Sequence, residues 1–233
     1  MSTSSVQTPR NTALAPPPVG TFHEIGGRRL LLHRSGARGP AVVFLPGAGL
    51  VGLDYLNIHG EVSRFTTSVL YDRAGTGWSD EVRLPRTAAE VTDELHGLLV
   101  DACVPPPYVL VGHSLGGAYA RRYAQRFAAD VAGILLLDAA HEDFYEHVPS
   151  PKLKLAEQWR QGWALLPVLL DLRRFYRPMF ERMLRTWPEP VRATLIEYHL
   201  RSWRKSLQEG RNLRTEIFDE LRQGGDTRDV PLI

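Results

Sequence analysis

Several of the signals that tie a chain to an oxidising compartment, a membrane or a metal are missing from this sequence. Cys103 is its only cysteine. No intramolecular disulfide can form, which fits a reducing compartment, and the expectation is a cytoplasmic protein. No apolar run approaches the roughly 20 residues that a membrane helix needs. The longest, 163–170, contains Pro167, so no stable membrane insertion is expected. Residues 1–20 lack a charged start followed by an apolar stretch, and instead carry Pro16, Pro17 and Pro18. They read as a flexible tail, not a signal peptide. The eight histidines have no metal-ligand spacing, and no internal repeat is visible; no metal and no other cofactor is expected. Charge of one sign is also scarce, with 28 Lys and Arg against 26 Asp and Glu for a net +2. That balance gives no electrostatic footprint for nucleic acid. It is uneven, because 150–228 hold 16 basic against 10 acidic residues. A solvated helical face accounts for that excess, and an anionic substrate or surface would also be drawn to it.

What is present begins with YVLVGHSLGG at 108–117. The apolar run 108–111 follows Pro105-Pro106-Pro107 and reads as a buried strand. Good helix formers fill 118–127. Ser114 lies at the turn between them, with Gly112 two residues before and Gly116 two residues after. In this strand-then-helix context the pattern G-x-S-x-G is a nucleophile elbow. Backbone N–H groups at a helix N-terminus are unpaired and suit a developing oxyanion, so the N–H of Leu115 is the natural first donor. Ser114 is thereby the candidate nucleophile for acyl transfer.

Along the chain, Thr21–Ile25 and 29–33 alternate across Gly26-Gly27 as an antiparallel hairpin. Ala41–Leu45 and 69–71 are buried strands, with a helix over 55–63 between them. A helix over 87–104 has Val91, Leu95, Leu98 and Leu99 at helical spacing and Thr87 as its N-cap. A further buried strand spans 133–138. Strands alternating with helices indicate an α/β protein with a mostly parallel, doubly wound sheet. Ligands in such sheets bind beyond the carboxyl ends of the strands, where Ser114, the turn at 46–49 and Asp138 gather. Residues 150–222 change character to helical and aromatic, with Trp159, Trp163, Phe175, Tyr176, Phe180, Trp187, Tyr198 and Trp203, punctuated by Pro167, Pro178, Pro188 and Pro190.

Three segments together resemble the α/β-hydrolase superfamily, and its lid-bearing serine hydrolases in particular. They are the elbow, AVVFLPGAG at 41–49 and VLYDRAGTGWS at 69–79. The likeness covers about 21–140 well and the rest loosely. It implies that the 41–49 loop supplies the second oxyanion N–H, which maps to Ala48, with Gly49 as the alternative. Here Pro46-Gly47 stands where the family usually has a His-Gly pair. Asp72 and Arg73 read as a structural turn, not as catalytic groups. The resemblance divides the chain into a flexible tail at 1–20, a hydrolase core at 21–149, a helical lid at 150–226 and the start of the next core strand at 227–233. The lid would shape an apolar pocket above Ser114.

In that family the acid and then the histidine follow the lid. Here the strand after it is expected to open at Asp229-Val-Pro-Leu-Ile233, and no residues follow for the acid loop or the histidine. The expectation is a C-terminally truncated hydrolase with its last strands missing. Asp138 and His141 are the weak in-chain substitutes for acid and base, His147 and His199 are further histidines, and His113 within the elbow reads as a packing residue. The expected function is hydrolysis of an ester, thioester or amide bond of a small molecule through an acyl-enzyme on Ser114, impaired in this chain. The alternative is a non-catalytic ligand-binding or regulatory module on the same fold. Neither reading specifies the substrate or the oligomeric state.

Overall fold

The computed structural model describes residues 15–143, 176–225, 227 and 230–232. Six strands form one sheet in the order β1-β2-β4-β3-β5-β6. β1 (Thr21–Ile25) and β2 (Arg28–Ser35) make the antiparallel hairpin. β2 runs antiparallel to β4 (Ser68–Tyr71). From there the pairing is parallel, through β3 (Ala41–Leu45), β5 (Tyr108–His113) and β6 (Val131–Leu137). On the far side of β6, the Ile134 N–H donates to the Pro231 carbonyl at 2.8 Å, and Leu232 bridges Ile134 in parallel.

The parallel strands are apolar at successive positions because both faces of the sheet are covered. Val43, Leu45, Val69 and Leu110 point into one cluster with α2 (Ala88–Asp101) and α3 (Leu115–Arg126). Their neighbours Phe44, Leu70 and Val111 point the other way, where Tyr55 and α1 (Leu56–Val62) cover them. The alternation is the pleat itself, read as two cores.

α2 is fixed at both ends by its own sequence. Thr87 Oγ1 accepts from Glu90 N at 3.1 Å while Glu90 Oε2 accepts from Thr87 N at 2.9 Å, a reciprocal capping box. The helix stops at Asp101, three residues short of the expected end. There Val104 N donates to Leu99 O and Cys103 N to Val100 O, with Cys103 at φ 50. This is a Schellman motif with cysteine at the left-handed position that glycine usually occupies.

The later described residues are helical. α4 (Arg177–Met183) and α5 (Val191–Glu209) precede a π-helical turn, Leu213–Ile217, and α6 (Phe218–Gln223). α5 begins directly after Pro190 and buries Leu195, Ile196 and Tyr198 against Val51, Leu53 and Trp78. Tyr198 stacks on Trp78 with centroids 6.2 Å apart. α6 adds Phe218 and Leu221 to the main core, and its Glu220 carboxylate accepts from Ala88 N and Ala89 N at the start of α2. Trp159, Trp163, Phe175 and His147 lie outside the described residues.

Candidate active site

β5 leads directly into Ser114, which sits at φ 50, ψ −118. That is a sparsely populated conformation for a residue with a side chain, and holding it costs on the order of 1–3 kcal/mol. Three backbone hydrogen bonds hold it. Ser114 N donates to Leu137 O at 3.1 Å, and the Ser114 carbonyl accepts from Gly117 N at 3.0 Å and Ala140 N at 3.1 Å. The side chain does not cap its own helix and is partly exposed. The two elbow glycines are required by close approach. A Cβ on Gly116 would lie 1.9 Å from the Leu45 carbonyl oxygen, and one on Gly112 would lie 2.6 Å from Gly117 Cα.

β3 pairs with β5 so that Leu45 faces Gly112, which carries the turn after β3 to the elbow. A Cβ on Gly47 would come within 3.3 Å of Ser114 Cβ. In this turn Leu50 N donates to Gly47 O at 3.1 Å, and Gly49 has φ +71. A positive φ at the third position, with Ala48 negative before it, is type II geometry and favours glycine. The Gly49 N–H donates to Glu209 Oε2 at 2.8 Å and is therefore occupied. Among the described residues, neither the Ala48 N–H nor the Leu115 N–H has an acceptor.

The turn after β4 holds this loop from behind. Asp72, buried, accepts from Gly52 N at 2.9 Å and Trp78 N at 3.0 Å. Burial pushes its carboxyl up to about 6, more than those two bonds lower it. Arg73, 1% exposed, donates to Pro46 O at 2.6 Å, Gly47 O at 2.9 Å and Glu209 Oε1 at 2.7 Å. Burial by itself would lower its pKa, but the Glu209 carboxylate raises it, so the guanidinium stays charged. The Tyr119 ring lies beneath it at 5.4 Å. The structural reading of Asp72 and Arg73 is what the geometry displays. The part the sequence did not reveal is Glu209, the acid that completes the pair. Its available signal is being the lone carboxylate among Arg201, Arg204, Lys205, Arg211 and Arg214.

The other candidates lie as follows. His113 Nδ1 lies 2.8 Å from the Tyr55 hydroxyl, and a Cβ on Gly47 would lie 3.1 Å from that nitrogen. His199 Nε2 is 2.8 Å from Asp54 Oδ1, linking α5 to the 3-10 turn Gly52–Tyr55. Asp138 follows β6 at φ 45 and is exposed. His141 is exposed, and its Nδ1 accepts from Asp143 N at 3.1 Å. Among the described residues no hydrogen bond joins Asp138 or His141 to Ser114 or to each other. Glu142 beside them is clamped by Arg121 at 2.5 and 2.6 Å. Among the described residues no group of three or more His, Cys, Asp or Glu gathers for a metal ion, and no helix is long and apolar enough to cross a membrane.

Comparisons with known proteins agree with this architecture. The uncharacterized protein YqjL of Bacillus subtilis (strain 168) is 36% identical over 111 residues, covering 48% of this chain and 44% of YqjL. The uncharacterized protein YbdG of the same organism is 26% identical over 121 residues, covering 51% of this chain and 37% of YbdG. The matched stretch thus spans less than half the length of either relative. Among solved structures, the epoxide hydrolase CorEH superposes with a TM-score of 0.64 at 17% identity, over 92% of this chain and 80% of that one. Est816, described as an N-acyl homoserine lactone degrading enzyme, superposes with a TM-score of 0.58 at 20% identity, over 85% and 73%. At such identities these likenesses speak to the fold alone. The sequence profile of the Alpha/beta hydrolase family matches residues 42–232, well over half of the sequence, and this chain belongs to that family.

Proposed function

We propose that the chain carries the nucleophile and oxyanion hole of a serine hydrolase acting on an ester, thioester or amide bond of a small molecule. The observation that carries this reading is Ser114, held at φ 50 where β5 meets α3, beside two backbone N–H groups that have no acceptor among the described residues. In the reaction, Ser114 Oγ attacks the substrate carbonyl carbon and its proton passes to a base. The carbonyl oxygen becomes an oxyanion accepted by the N–H groups of Leu115 and Ala48. Collapse breaks the bond to the leaving group, which takes up the proton, and leaves an acyl-Ser114 ester. Water then attacks that ester, releasing the acid and restoring Ser114. Asp138 and His141 stand at the same sheet edge, but the base is not assigned to either. The lid is assigned to 150–226, of which α4, α5 and α6 are described, and the setting is cytoplasmic.

The test is labelling of the complete protein with a fluorophosphonate, followed by mass spectrometry of the peptide holding 114. Wild-type protein should gain the phosphonyl group on Ser114, and Ser114→Ala should gain none. Unmodified Ser114 after full exposure, or equal labelling of Ser114→Ala, rules out the nucleophile assignment.

A further inference from the structure

The turn that would bind the oxyanion is gripped by a buried ion pair drawn from two distant parts of the chain. We propose that Arg73 and Glu209 are positioning residues of the oxyanion hole, and that they make Ala48, not Gly49, its second donor. The proposal rests on the serine-hydrolase reading of Ser114 and deepens it.

Holding one end of a peptide plane aims the other. The peptide joining Gly47 to Ala48 is planar and trans, so its C=O and N–H point in opposite directions. Arg73 Nη2 donates to that C=O at 2.9 Å, and Leu50 N donates to the same oxygen at 3.1 Å. Fixing the oxygen fixes the opposite end, the Ala48 N–H. Arg73 Nη1 fixes the preceding plane through Pro46 O at 2.6 Å. Two donors on one carbonyl, one of them charged, also polarise the amide and strengthen its N–H as a donor.

Glu209 acts on the following plane. Its Oε2 accepts from Gly49 N at 2.8 Å while its Oε1 accepts from Arg73 Nε at 2.7 Å. The carboxylate thus spends the Gly49 N–H, neutralises Arg73 and ties both to the last residue of α5. Helix and turn are in close contact there, since a Cβ on Gly49 would overlap Ser206 Oγ at 1.5 Å. Both side chains are almost wholly buried, Arg73 at 1% and Glu209 at 4% exposure. Water therefore does not compete for these bonds. The oxyanion donor is properly aimed only while the end of α5 sits on the turn.

The experiment compares the full chain with Glu209→Gln, which keeps the shape and an acceptor oxygen but removes the charge. Two readouts are taken. One is the fluorophosphonate reaction at Ser114, resolved into the saturating rate kinact and the half-saturation constant KI. The other is the 15N order parameter of the Ala48 amide. A misaimed group in an active site costs about 100-fold for a displacement on the order of 1 Å. Glu209→Gln should lower kinact by about 10- to 100-fold with KI unchanged. The Ala48 order parameter should fall from about 0.85 to below about 0.6. A purely structural role would leave kinact alone once the variant is folded. Should Glu209→Gln not fold, the double variant Arg73→Gln/Glu209→Gln, which removes both charges together, takes its place with the same expected result. An unchanged kinact, or an unchanged order parameter at Ala48, overturns the proposal. If wild-type Ser114 is not phosphonylated at all, the serine-hydrolase reading fails by itself, and the order parameter still decides whether Arg73 and Glu209 hold Ala48.

Discussion

A backbone N–H is a hard group to test, because most substitutions leave it in place. Ala48 is an exception by virtue of its position. It is the second residue of a type II turn, the position where proline's fixed φ fits. Ala48→Pro therefore removes one donor while leaving the turn's own hydrogen bond, Leu50 N to Gly47 O at 3.1 Å, in place. Losing one oxyanion donor costs about 10²–10³ in rate. Ala48→Pro should slow Ser114 phosphonylation by that factor, with a urea midpoint close to wild type. Wild-type reactivity in Ala48→Pro would mean that Ala48 is not the donor. Gly49 cannot take over without a rearrangement, because Glu209 already accepts its N–H.

At the scale of elements, most of the fold could be read from local pattern. The strand–glycine–strand repeat at Gly26-Gly27 gave the hairpin, and the spacing of Val91, Leu95 and Leu98 gave α2 with its cap. Thr87→Ala removes one side of that cap and should destabilise the protein by about 1 kcal/mol, within roughly 0.5–2. The readout is a urea or thermal melt, and a loss well below that range would mean the Glu220 carboxylate at Ala88 and Ala89 carries the helix end alone. The sequence was less informative wherever an element ends or is fixed by a long-range partner. α2 stops at Asp101 because Cys103 takes a left-handed conformation, which residue type alone argues against. Arg73 sits in a motif that reads correctly as a turn. Its partner Glu209 lies 136 residues away, and no periodicity records so distant a pairing. The candidate site was therefore legible as the elbow and its neighbouring glycine turn, and illegible as the ion pair that holds them.

For the molecule as a whole, buried titrating groups pull stability in opposite directions across acidic pH. Asp72 has its carboxyl raised by burial from 3.8 to about 6, so the folded state holds its proton more tightly than the unfolded chain. Its contribution is full below pH 3.8 and is lost as pH rises through about 6. At neutral pH this amounts to roughly 3 kcal/mol, by the usual conversion of a proton-affinity difference. His59 behaves in the reverse sense. It is 2% exposed, with the His33 ring 4.9 Å away, and burial, followed by that neighbour, lowers it from 6.5 to about 4. Its contribution is present above pH 6.5 and is lost as pH falls through about 4. Glu142 adds to the acid side. Burial alone would raise it, but the hydrogen bonds and charge of Arg121 hold it at about 2, so its contribution is present above 4.5 and lost towards 2. Two variants separate these limbs. Relative to Asp72→Asn, wild type should lose ground as pH rises from 4 to 6. Relative to His59→Asn, wild type should lose ground as pH falls from 6.5 to 4. Urea melts at half-unit pH intervals measure both differences. Because each difference is taken at matched pH, contributions common to both proteins cancel, and the opposed slopes isolate Asp72 and His59. Curves that stay parallel for either pair would mean that the group titrates in the fold as it does in the unfolded chain.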